Sequence, residues 1–190
     1  MLAPSCTFFD ENRVPIALNN LKVTLEQELL LTEVVAAIIP ADEVYKGAAD
    51  LKLQDFVWVM VDDTMKPEDQ QRFLNGLNQF ARYREKFLEK DWEDLPPAEQ
   101  AGFLKLVMAK KAPKAPPQPV NSQQQKGEEL PPEQFLADIQ FFLNTARGRS
   151  IQGWLQSQYV MTEIYPYQLV PGGFSLCETI DPSKRINING

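Results

Sequence analysis

The chain has 190 residues, 44 % of them hydrophobic and 24 % charged, with a net charge of −7, two cysteines and no histidine. That length supports one domain with a real core, and the acidic balance argues against nucleic acid, whose phosphates need a basic patch. Without histidine, the usual zinc sites and the commonest base for a serine or cysteine nucleophile cannot be built.

Residues 1–21 hold turn formers (Pro4, Asp10, Asn12, Pro15, Asn19, Asn20) and no sustained period, which predicts an irregular lead-in. A first helix then begins at Thr24, an N-cap residue with Gln27 at the capping-box position. Its second half, Leu29 to Ile39, is apolar on more than one face, so it is expected to be buried, and Pro40 stops it. Within "LQDFVWVMVDD" (53–63) the run from Phe56 to Val61 is ambiguous, because its β-branched residues also suit a buried strand; helical neighbours on both sides favour a helix. Lys66-Pro67-Glu68-Asp69 opens a third helix, with proline in the first turn and acids complementing the dipole. Phe73, Leu77, Phe80 and Phe87 follow at helical spacing as one apolar stripe.

Two further helices start with nearly the same phrase, "LPPAEQ" (95–100) and "LPPEQF" (130–135), in which proline presets the entry and glutamate meets the positive first turn. The fourth carries Phe103, Leu104, Val107 and Met108, and the fifth Phe135, Leu136, Ile139, Phe142, Leu143 and Ala146. The fifth pattern continues to Ile151, Trp154 and Leu155, with Gly148 and Gly153 as places for a kink. Residues 110–129, rich in Pro, Gln and Lys, are expected to form an extended connector inside the helical domain 22–164. The fold class is therefore all-α: a single irregular bundle of about five helices. Beyond it lies an extended C-terminal segment, 165–190, rich in Pro, Gly and aromatic residues.

Candidate chemistry is sparse. Asp62-Asp63 resembles part of an aspartate-rich metal motif, but Lys66 and Pro67 stand where a further acid is needed, so a helix C-terminus is the better reading. Asp91, Glu93 and Asp94 read as a solvated face, with no partner acid to make a general acid–base pair. The arginines of "RGRS" (147–150) fit an anion, or more commonly a surface acid or a helix C-terminus. There is no GxGxxG, no P-loop and no CxxC. The catalytic, cofactor-binding and metal-binding sets are expected to be empty.

Laid end to end, "EVVAAIIPADE" (33–43), "GAADLKLQDFVWVMVDD" (47–63), "EDQQRFLNGLNQF" (68–80) and "GWLQSQYVMTEIYPYQLVPGGFSLC" (153–177) resemble the gluconate 2-dehydrogenase subunit 3 family. The last stretch is the most specific. A Gly-aromatic pair (Gly153-Trp154) leads through Ser157 and the aromatics Tyr165 and Tyr167 to a Val-Pro-Gly turn at 170–172 and Cys177. The resemblance implies an all-helical accessory subunit that does no redox chemistry itself. Its partner would be a large FAD-dependent dehydrogenase of the glucose–methanol–choline type acting on gluconate or another sugar, in some complexes with a cytochrome c subunit. It further implies a role in export, assembly and stability of that partner, and a place in the periplasm or at the cell envelope. Membrane association is expected only through a partner or an N-terminal lipid. The alternative is a stand-alone envelope interaction protein or lipoprotein with the same helical fold.

On that resemblance, Trp154, Tyr165, Tyr167, Pro171, Gly172, Phe174 and Cys177 are the candidate partner-interface residues, since aromatics bury large area at low entropic cost. The same residues also suit a segment that wraps the domain's own helices. Cys177 is open to two readings, an intersubunit disulfide and a buried free thiol. "LAPSC" (2–6) looks like the tail of a lipoprotein signal with Cys6 as the lipidated residue. The charged and apolar stretches of a full signal do not precede it, which leads us to expect a start trimmed after an export signal.

Overall fold

A computed structural model describes residues 16–88, 90–110 and 132–165. Residues 1–15 of the lead-in, the connector beyond Lys110 and the C-terminal segment from residue 166 lie outside the described residues. Among the described residues there are five α-helices: α1 (Leu25–Ile38), α2 (Leu53–Thr64), α3 (Pro67–Phe87), α4 (Pro97–Ala109) and α5 (Pro132–Leu155). A single 3₁₀ turn, Trp92–Asp94, precedes α4, and a π-helical turn, Val160–Ile164, follows α5. Among the described residues there is no strand. The stretch 53–63, ambiguous by composition, is helical, and α5 runs on through Gly148 and Gly153 as one helix.

The helix starts follow local chemistry. Thr24 accepts from the Gln27 amide at 3.2 Å, while the Gln27 side chain accepts from the Thr24 amide at 3.0 Å, so both halves of the capping box form. Pro67 and Pro97 each sit in the first turn of their helix, where a missing N–H costs nothing. The helix ends obey longer-range rules. Gln70 of α3 donates its side-chain amide to the carbonyls of Val61, Asp62 and Met65 (3.3, 2.7 and 3.2 Å), satisfying the C-terminus of α2. Gln140 of α5 does the same for α4, reaching Val107, Met108 and Lys110 at 2.9, 3.3 and 2.6 Å.

At the centre, α5 packs against all four other helices, most extensively against α3. Gly76 permits this approach: a Cβ there would lie 2.1 Å from the Asp138 carbonyl oxygen and 2.8 Å from the Phe142 Cβ. An aromatic spine runs through the core from Trp58 to Phe73 (ring centroids 5.7 Å apart), Phe142 (5.1 Å), Phe80 (6.0 Å) and Trp92 (6.4 Å), several of the pairs edge-to-face. Beside it, Arg72 of α3 meets the largely buried Asp138 of α5 at 2.9 Å and lies over the Phe141 ring.

One sequence expectation changes here. Phe87 does not continue the buried stripe of Phe73, Leu77 and Phe80 but is 55 % exposed. The reason is length: α3 has 21 residues against 14 and 12 in α1 and α2, so its last turn runs past the core. The end of the lead-in, in contrast, joins the domain. Ile16, Leu18 and Leu21 pack on the core, and the backbone amides of Asn19, Asn20 and Leu21 all donate to the buried Asp62 carboxylate, with closest distances of 2.7, 3.0 and 2.7 Å. The Asn20 side chain returns a bond to the Asp62 carbonyl at 3.0 Å. Asp62 is thus in the last turn of α2, as expected, and serves as an acceptor for chain amides.

Candidate partner interface

The corner where α5 ends is built by the stretch "GWLQSQYVMTEIY" (153–165). Gly153 lies under the Phe56 ring of α2, and a Cβ there would stand 2.7 Å from Phe56 Cδ1, so a side chain would force the ring or the helix to shift. The next residue, Trp154, is half-buried against the core and donates its indole N–H to the Lys46 carbonyl at 3.0 Å. Ser157 then joins two turns. Its hydroxyl donates to the Trp154 carbonyl (2.7 Å) and accepts from the Val160 amide (3.2 Å), which is N-cap geometry for the turn that follows. Replacing it by alanine should lower unfolding free energy by about 1 kcal/mol, a typical cap loss, in urea titration of the wild type and Ser157→Ala. The π-helical turn closes with the Tyr165 amide on the Val160 carbonyl at 2.7 Å.

Opposite lies the loop between α1 and α2, residues 39–52, which braces itself. Asp42 accepts from the amides of Val44 and Tyr45 (2.8 and 2.6 Å), and Asp50 from that of Gly47 (2.8 Å). Gly47 must lack a side chain, since a Cβ would meet the Ala41 nitrogen at 2.4 Å. Tyr159 clamps this loop to the corner. Its hydroxyl accepts from the Lys46 amide (3.3 Å) and donates to the Val44 carbonyl (3.4 Å), while the Lys46 ammonium lies 4.6 Å from the ring centroid. The Lys46–Glu163 ion pair at 3.8 Å is well exposed and adds little. Between loop and corner is an open depression of about 720 Å³ with Leu51, Phe56 and Tyr159 in its lining.

Large apolar side chains remain exposed on both sides of this clamp. Val44 (66 % exposed) and Tyr45 belong to the pinned loop, and Leu155 (48 %) with Ile151 forms an i, i+4 pair on α5. An apolar surface on a rigid, hydrogen-bonded support suits protein–protein contact, because little order has to be imposed on binding.

Of the sequence-predicted interface residues, Trp154 and Tyr165 belong to this corner, Trp154 hydrogen-bonded to its own chain and Tyr165 half-buried. Tyr167, Pro171, Gly172, Phe174, Cys177 and the lipidation candidate Cys6 lie outside the described residues. Sequence reasoning missed Lys46, Phe56 and Tyr159, whose roles depend on partners about a hundred residues away in the chain. The Gly-Trp pair was the one local signal. Among the alternatives weighed, Asp91, Glu93 and Asp94 are exposed, and Arg149 donates to Gln152 (2.9 Å) and to Thr64 at the end of α2 (3.3 Å). Among the described residues no group of three or more acidic or cysteine side chains could hold a metal ion, and no helix is long and apolar enough to cross a membrane.

Comparison with known proteins matches residues 25–172 to the family described as gluconate 2-dehydrogenase subunit 3. Comparisons with curated proteins and with solved structures found no significant match. The matched span takes in all five helices and the clamped corner after α5, so the chain belongs to the gluconate 2-dehydrogenase subunit 3 family.

Proposed function

We propose that this chain is the non-catalytic small subunit of a periplasmic FAD-dependent dehydrogenase complex, and that it docks on the large catalytic subunit through the corner formed by the 39–52 loop and the end of α5. In this reading FAD belongs to the partner, which oxidises gluconate or a related sugar, in some complexes of this kind alongside a cytochrome c subunit. The small subunit supports export, assembly and stability of the large one and carries out no chemical step of its own. The observation that carries the reading is the exposed apolar set Val44, Tyr45, Ile151 and Leu155, mounted on a support that Gly153, Trp154 and Ser157 build.

Its test is recovery of the large subunit. Affinity-tagged wild-type chain, expressed in the source organism, should bring down a large protein with flavin absorbance. The double variant Val44→Asp/Leu155→Asp should lose at least about tenfold of that recovery, because each aspartate would be desolvated without a partner charge. Both positions are exposed, so the circular dichroism spectrum should stay that of the wild type. Undiminished recovery with the variant would remove the corner from the interface. A wild-type chain that brings down no flavoprotein would favour the stand-alone envelope protein.

A further inference from the structure

We propose that the outer face of α5 is a seam that receives a helix of the large catalytic subunit. The inference rests on the docking reading above and extends it from the corner along the helix. Asn144, Gly148, Ile151 and Leu155 recur at i, i+4, i+7 and i+11, the alternating spacing with which a helix faces one partner helix over several turns. All four are exposed. The opposite face, Ile139, Phe142, Leu143, Ala146 and Ser150, is buried and holds α5 in the bundle.

The centre of the seam is bare backbone. A Cβ at Gly148 would meet nothing within 4 Å, whereas the glycines at 76 and 153 admit neighbours from α3 and α2. Gly148 therefore leaves a hole between Asn144 and Ile151, of the size that takes a large apolar side chain from a facing helix. Ile151 and Leu155 continue the face to the corner, so seam and corner make one surface.

Charge selects the occupant. From Ile139 to Leu155 the helix carries Arg147 and Arg149 and no acid. Arg149 is turned to the end of α2, where it donates to Thr64, the neighbour of the exposed Asp63. The acids nearest in sequence on either side are engaged, Asp138 by Arg72 and Glu163 by Lys46. Arg147, on the other flank of the seam, is exposed and has no acceptor among the described residues. Flanking charges of this kind decide which helix pairs with which. The α5 of a second copy would set arginine against arginine with no acid to answer it. The helix that fits has apolar residues at the same spacing and a carboxylate opposite Arg147, which a guanidinium fork binds well.

The experiment places a photoreactive benzoylphenylalanine at position 144 of the affinity-tagged full chain in the source organism. Irradiation should cross-link it to the large flavoprotein, within one helical segment. Gly148→Leu, which fills the hole, should lower flavoprotein recovery at least about tenfold. Its melting temperature should equal or exceed that of the wild type, since leucine is the better helix former and meets no neighbour. Arg147→Glu should also lose recovery, more at low salt than at high salt. A cross-link to a second copy, to the chain itself or to nothing would overturn the assignment, as would full recovery with Gly148→Leu. Full recovery there beside loss with Val44→Asp would leave the corner as the interface and remove the seam. A wild-type chain that brings down no flavoprotein would remove both.

Discussion

Replacing Gly76 by alanine should lower the unfolding free energy by about 3 kcal/mol, at the upper end of what over-packing costs. The new methyl group would stand 2.1 Å from the Asp138 carbonyl oxygen, a backbone atom in the second turn of α5 that cannot swing aside as a flexible side chain can. Relief requires α3 and α5 to separate, and this is the most extensive helix pair of the fold. Separation would also stretch the contact between Phe73 and Phe142 and draw Arg72 away from Asp138. For a protein of this size the change corresponds to a fall in Tm of roughly 6–12 °C. Differential scanning calorimetry of Gly76→Ala beside Gly102→Ala makes a controlled pair, because a Cβ at Gly102 meets nothing within 4 Å. There the same substitution in a helix should be neutral or stabilise slightly. Equal melting temperatures for the two variants would show that α3 and α5 do not approach as described.

A second large effect is expected at Asp62. In Asp62→Ala the amides of Asn19, Asn20 and Leu21 lose a buried, charged acceptor together, and a hydrogen bond to a charged group contributes about 1.5–3 kcal/mol net. Because the lead-in lies at the surface and water can reach the released amides, the net loss should be about 3 kcal/mol rather than the sum. Asp62→Asn, which keeps one carbonyl oxygen, should lose less. The distinctive readout is local: amide hydrogen exchange at residues 19–21 should accelerate far more than exchange at α5 core residues such as Ile139 and Leu143. Protection at 19–21 unchanged in Asp62→Ala would mean that the lead-in is held by Ile16, Leu18 and Leu21 alone.

These two positions show how differently parts of the molecule could be read in advance. Gly76 sits in a helical stretch where glycine is unfavourable, yet nothing near it in sequence names the Asp138 backbone as its neighbour. Asp62 could be placed at the end of α2, but its burial and its three amide partners lie across more than forty residues of chain. At the candidate interface, the pair Gly153-Trp154 stood out by residue type. Tyr159, between Gln158 and Val160, did not, because a tyrosine hydroxyl signals nothing until its acceptor is in reach.

By itself the sequence determined where four of these helices begin and which broad faces are apolar. The Thr24–Gln27 box and the prolines at 67, 97 and 132 act within a single turn, and helical periodicity is likewise a property of neighbours. It also carried the family, which the chain matches over residues 25–172. Only the tertiary structure decided which polar groups are buried and which apolar ones stay outside. Gln70 and Gln140 became the caps of other helices, Asp62 a binder of chain amides, and Phe87 an exposed ring past the end of the core. The physical reason is range: a cap or a period is settled by atoms a few residues apart, whereas burial depends on helix lengths and on partners that meet only when the bundle closes.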